Sequence, residues 1–219
     1  MRNFVVSASI LGANTLNLDT ELEKIRKADI KWVHFDVMDG KFVKNVSFAD
    51  DFLSVASSKV DLVKDVHIMI NDPLLNIEKY AKINADYLTF HYEACKDDLE
   101  VKAVINKIHA SKMKAGLSIK PNTPIEYVYP FLKDLDLVLI MSVEPGYGGQ
   151  RFLDNAFDKI TKLRNQIDTL NLSVLISVDG GINDKTAPRC LEKGADILVV
   201  GQYLFGKEDY IERYQKIIK

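Results

Sequence analysis

Cysteine occurs only twice in 219 residues, at Cys95 and Cys190. Two such distant residues make neither a disulfide framework nor a metal knuckle, and a reducing cytoplasmic setting is the expectation. No run approaches the ~18 apolar residues that a membrane helix requires. The opening segment, Met1 to Leu11, has one basic residue and a short apolar stretch broken by Ser7 and Ser9, which reads as a strand and not as a signal peptide. A basic excess is also missing. Lysine and arginine total 29 against 31 acidic residues, a net charge of −2, which argues against a nucleic-acid binder. There is no P-loop pattern and no dinucleotide fingerprint. No linker-like or low-complexity stretch divides the chain, so one domain over residues 1–219 is expected.

What is present is a repeat of apolar runs and helical patterns. Candidate strands are Val5–Leu11, Trp32–Asp36, Leu62–Ile70, Tyr87–His91, Lys114–Ile119, Leu137–Val143, Val174–Val178 and Ile197–Val200. Helical periodicity marks Leu18–Ala28, Leu74–Lys82, Leu99–Ser111, Ala156–Leu170 and Lys185–Lys193. Strand and helix in alternation point to an α/β protein with a parallel sheet. Eight units at about 27 residues each fit a small (β/α)₈ TIM barrel. An open doubly wound sheet has the same pattern and is the alternative.

Barrel sites form at strand C-terminal ends. His34 and Asp36 alternate with period two, so both point to one face. His67 lies in the third strand, and Asp179 ends the seventh before Gly180 and Gly181. Two imidazoles and two carboxylates suit a divalent Zn, Fe, Mn or Co ion. Taken singly, an inward histidine is more often a hydrogen-bonded core residue, and Asp before Gly-Gly a turn former. The spacing leaves both readings open. His91 reads as a supporting or structural residue, and His109 as a surface one. Six of the eleven glycines, Gly146, Gly148, Gly149, Gly180, Gly181 and Gly201, follow the last three strands. Backbone amides that approach an anion closely need such residues, so the rim suits a phosphorylated ligand.

The segments Ser7-Ala8-Ser9-Ile10-Leu11, His34-Phe35-Asp36-Val37-Met38-Asp39-Gly40, Val66-His67-Ile68-Met69, Glu144-Pro145-Gly146-Tyr147-Gly148-Gly149-Gln150 and Val178-Asp179-Gly180-Gly181 resemble the ribulose-phosphate 3-epimerase family, in order and over nearly the whole chain. The resemblance implies a TIM barrel that interconverts D-ribulose 5-phosphate and D-xylulose 5-phosphate. It implies one divalent metal held by His34, Asp36, His67 and Asp179, with Asp36 and Asp179 moving protons through a metal-stabilised enediolate. It also implies substrate contacts from Ser9, from Met38, Met69 and Met141, and from Gly146, Gly148, Gly149, Gly180, Gly181, Gly201 and Gln202. A small sugar phosphate is the expected partner, no organic cofactor is needed, and a homo-oligomer is expected. The chain departs from the family pattern at Lys41, Lys44 and Gln202, which keeps a hexose relative, D-allulose 6-phosphate, as the alternative substrate. A non-catalytic sugar-phosphate-binding protein is the remaining alternative, opposed by the presence of both Asp36 and Asp179.

Overall fold

Val5 pairs with Ile197 at one end of the chain's sheet, and Ser9 pairs with His34 across the next ladder. These two contacts close the sheet. The computed structural model describes residues 4–48, 50–207 and 209–218. Strands β1 (Val5–Ser9), β2 (Trp32–Met38), β3 (Val63–Met69), β4 (Tyr87–His91), β5 (Lys114–Ile119), β6 (Leu137–Met141), β7 (Leu175–Asp179) and β8 (Ile197–Val200) follow one another around a closed barrel. All eight ladders are parallel. The open-sheet alternative is therefore excluded.

Helices α1 (Leu18–Lys27), α2 (Asp50–Ser58), α3 (Ile77–Lys82), α4 (Asp98–Ala110), α5 (Asn155–Thr169), α6 (Thr186–Glu192) and α7 (Tyr210–Ile218) surround the strands. The expected boundaries shift at several points. β1 stops at Ser9 because Ile10–Gly12 turns into a 3₁₀ helix, and β2 runs on to Met38. The Leu74–Lys82 pattern divides into a 3₁₀ turn at Pro73–Leu75 and the short α3. Between β5 and β6 the crossover is a 3₁₀ run, Ile125–Asp134, with Pro130 inside it. Proline removes an amide donor and clashes with the preceding turn, which keeps this segment from becoming an α-helix.

Period-two alternation sorts each strand's side chains. On β2, Val33, Phe35 and Val37 are buried outward with Leu22 and Ile25 of α1. Full burial of each such side chain is worth about 1.5–3 kcal/mol. The interior has two characters. Tyr87, Leu137, Leu139, Ile197 and Val199 pack with Trp32 into an apolar plug. Elsewhere the buried interior is polar, with Ser7, His34, Asp65, His67, Thr89, His91 and Ser118.

Candidate active site at the barrel mouth

Register decides which polar groups meet. On the β2–β3 ladder His34 stands opposite Asp65, Asp36 opposite His67, and Met38 opposite Met69. On the β6–β7 ladder Met141 stands opposite Asp179. One potential ligand atom from each of His34, Asp36, His67 and Asp179 lies within 4.8 Å of the other three. The first three side chains are almost fully buried, and Asp179 is 16% exposed.

Each residue of this cluster is held by a neighbour. Ser9 Oγ donates to Asp36 Oδ2 at 2.7 Å. His34 Nδ1 meets Asp65 Oδ2 at 2.7 Å, and Ser7 Oγ donates to the same oxygen at 3.1 Å. His34 Nε2 then faces the cluster with no hydrogen-bond partner, 3.3 Å from Asp36 Oδ1 but too poorly aligned to bond. His67 Nδ1 lies 3.2 Å from Asp36 Oδ1 and 3.9 Å from Asp179 Oδ2. A buried nitrogen without a partner is unsatisfied by protein alone. Two imidazoles and two carboxylates around it fit a borderline divalent cation.

The cluster splits the two carboxyls electrostatically. Burial opposes charge on Asp36, yet the charge of His34 beside it holds its carboxyl well below the usual carboxylate range. Burial, followed by the charge of Asp36, raises Asp179 to about 7. Burial also works against charge on His34, but Asp65 and Asp36 on either side outweigh it and raise its pKa. Burial lowers that of His67.

Above the cluster lies a cavity of about 160 Å³. Its wall includes Ser9, Asp36 and Asp179 with the three methionines, Met38, Met69 and Met141. Gly146, Gly148, Gly149, Gly180, Gly181, Gly201 and Gln202 form its rim. The sequence-derived set thus converges on one cavity, with His34 and His67 beneath it. Of the three departures from the family pattern, only Gln202 lines the wall. A Cβ on Gly149, whose φ is +78°, would sit 2.7 Å from Gln202 Nε2. Backbone and carboxamide approach closely here, and the positive φ of Gly149 favours glycine.

Sequence reasoning missed four supporting residues. Asp65 braces His34 from the wall. Glu93 meets His91 Nδ1 at 3.2 Å, and His91 Nε2 meets His67 Nε2 at 2.9 Å. Asp39 accepts from the amides of Lys41, Phe42 and Asn71 at 2.8–2.9 Å and shapes the β2–α2 loop. Asn45 Nδ2 donates to Gly146 O at 2.9 Å, joining that loop to the glycine-rich one. His109 lies on α4, 42% exposed, beside Asp136.

Residues 5–205 match the model of the ribulose-phosphate 3-epimerase family. The chain belongs to the ribulose-phosphate 3-epimerase family. A relative in Chlamydia pneumoniae named ribulose-phosphate 3-epimerase is 40% identical over 216 residues, covering 98% of this chain and 93% of that one. A Bacillus subtilis protein of the same name is 38% identical over 205 residues, covering 93% of each. Among solved structures, a 3-hexulose-6-phosphate synthase superimposes with a TM-score of 0.68 at 16% identity, over 99% of this chain and 98% of that one. That likeness is one of fold. Family membership makes the barrel an enzyme of the epimerase class. Among the described residues, no helix is long and apolar enough to cross a membrane.

Proposed function

We propose that the chain epimerises C3 of a ketose phosphate, converting D-ribulose 5-phosphate to D-xylulose 5-phosphate. The observation that carries this reading is the pair Asp36 and Asp179, two carboxyls that line one cavity with a potential ligand atom of each within 4.8 Å of the other. Inverting a carbon beside a ketone requires a proton to leave one face and another to arrive at the opposite face. The ionised Asp36 accepts the C3 proton, and the protonated Asp179 delivers one; in the reverse reaction they exchange tasks. Ser9, bonded to Asp36, orients that carboxylate and faces the substrate.

His34, Asp36, His67 and Asp179 are the residues that would hold one divalent ion, Zn, Fe, Mn or Co by donor type. Such an ion supplies Lewis-acid stabilisation of charge developing on the substrate oxygens. Met38, Met69 and Met141 give the reacting carbon a polarisable wall without exchangeable protons. The glycine rim and Gln202 hold the phosphate, and the Glu144–Gln150 loop excludes water over it. The net reaction is redox-neutral and requires no organic cofactor. The family resemblance extends the reading to a homo-oligomer, and the two distant cysteines to a reducing cytoplasm.

The test is kcat/KM of the metal-loaded enzyme for D-ribulose 5-phosphate and D-allulose 6-phosphate, with a chelator control. We expect a preference for the pentose that chelator abolishes. Preference for the hexose would move the substrate and direct attention to Gln202. Turnover of neither would overturn the reading.

A further inference from the structure

His67, His91 and Glu93 form a line running away from the cluster. Glu93 Oε2 faces His91 Nδ1, while Glu93 Oε1 accepts from the Lys120 amide at 2.7 Å and from the Thr123 hydroxyl. Burial works to raise the Glu93 pKa, and hydrogen bonds from His91, Thr123 and Lys120 overcome it and hold it at about 2. An ionised carboxylate only accepts hydrogen bonds. His91 therefore donates from Nδ1, and its Nε2 carries a lone pair. Facing that lone pair at 2.9 Å, His67 Nε2 must be the donor. His67 Nδ1 is then left with a lone pair, aimed at Asp36 Oδ1 3.2 Å away. Two acceptors at that distance with no proton between them are satisfied by a cation. The opposite tautomers would set a lone pair of His91 against the Glu93 carboxylate, with nothing to relieve it.

We propose that Glu93 and His91 are positioning residues that fix the tautomer of His67, keeping Nδ1 free for the metal through a carboxylate–imidazole–imidazole relay. Phe42 covers His91, with ring centroids 4.8 Å apart, and His91 is fully buried, so its contact with His67 is shielded from water, while Glu93 is 20% exposed. Lys159 steadies its far end. Its ammonium donates to the carbonyls of Lys120, Pro121 and Thr123 at 2.6–3.0 Å, fixing the segment that grips Glu93. The inference rests on the reading of His67 as a metal ligand.

Glu93→Gln tests it. The amide oxygen is still required by the Lys120 amide and the Thr123 hydroxyl, so the NH₂ group turns to His91 Nδ1 as a donor. His91 then protonates at Nε2, and the His67 proton moves to Nδ1, where it blocks the ligand position. The chain has four histidines, so ¹⁵N-histidine long-range correlation spectra of the metal-free protein resolve the tautomers, with His67→Gln for assignment. Wild type is expected to carry the His67 proton on Nε2, and Glu93→Gln on Nδ1. Affinity for Zn²⁺, measured by chelator competition, should fall roughly 10–100-fold in Glu93→Gln. Thr123→Val, which removes a donor to Oε1 and leaves Oε2 in place, should keep the wild-type tautomer.

A wild-type His67 protonated on Nδ1, or a Glu93→Gln spectrum identical to wild type, would overturn the proposal. If Glu93→Gln does not fold, His91→Leu takes its place. It removes the acceptor for Nε2, and an unchanged His67 tautomer would overturn the relay. Wild type that binds no Zn²⁺ yet shows Nε2 protonation would overturn the metal reading alone and leave the relay standing.

Discussion

Asp36 and Asp179 are the same side chain in two settings. Asp36 sits between two imidazoles, whereas Asp179 has the charge of Asp36 as its neighbour and a partly desolvated position of its own. Replacing the carboxyl without changing shape removes its proton and, with it, one of the four groups that would hold the ion. Asp179→Asn should lower kcat by about 10²–10⁴-fold, the usual range for general acid–base catalysis, while binding of the phosphorylated substrate survives. Stopped-flow turnover paired with calorimetric binding checks both halves, and retained turnover would remove Asp179 as the carrier.

The cysteines give a pH prediction with a definite sign. Burial pushes Cys190 up to about 12 against a small opposing effect of Arg189, and burial with Glu100 and Asp97 does the same to Cys95. A thiol raised in the folded state keeps its proton after the unfolded chain has released its own near pH 9. Stability is therefore full below pH 9 and is lost as pH rises from 9 toward 12, at up to about 1.4 kcal/mol per pH unit for a fully buried group. Urea midpoints at pH 8, 9 and 10 should fall, and Cys190→Val should flatten the decline. The site's ligands were legible because they alternate on strands beside signature segments. Asp65 was not. A carboxylate near the start of a strand reads as solvent-facing, and only the register opposite His34 reveals it as 2% exposed.

At the scale of elements, strands with continuous apolar runs could be read directly, while the crossovers could not. α2 carries Asp50, Asp51 and three serines in nine residues, too polar a pattern to stand out. The β5–β6 crossover is helical in the 3₁₀ sense, and Pro130 leaves no 3.6-residue period to detect. Crowding between strands is equally invisible to a linear reading. On β5, a Cβ at Gly116 would lie 2.9 Å from Thr89 Cβ and closer still to Thr89 Oγ1. Gly116→Ala should destabilise the barrel by about 1–3 kcal/mol through overpacking, and Thr89→Gly should restore part of it. Thermal unfolding of both single variants and the double variant decides this. An undisturbed Tm for Gly116→Ala would mean that β4 and β5 separate without cost.

Across the whole molecule, stability and chemistry occupy opposite ends of the barrel. Far from the mouth, Arg164 of α5 donates to Gly194 O at 2.9 Å and pairs with Asp196, whose Oδ2 also accepts from the Ile176 amide at 2.8 Å. The pair ties α5 to the β7 and β8 starts, and Asp196 is 9% exposed. Asp196→Ala should cost about 3 kcal/mol by stranding a mostly buried guanidinium. For a chain of this size that is a Tm fall of about 6–12 °C. Steady-state kinetics below the transition should be unchanged, and a large loss of kcat would show that the two ends are coupled.

The order of residues around the ring has one more consequence. His34, Asp36, His67 and the His91–Glu93 support all lie on β1–β4 and the segments that follow them, whereas Asp179 and the glycine rim belong to β5–β8. Neither half holds both ends of the proposed proton path, and the halves join along the β4–β5 and β8–β1 ladders, with further hydrogen bonds from Asn45 to Gly146 and from Lys120 to Glu93. Cut in the turn at Ser111–Met113, the barrel becomes a pair of silent fragments whose activity reports their reunion, a complementation sensor already written into the strand order.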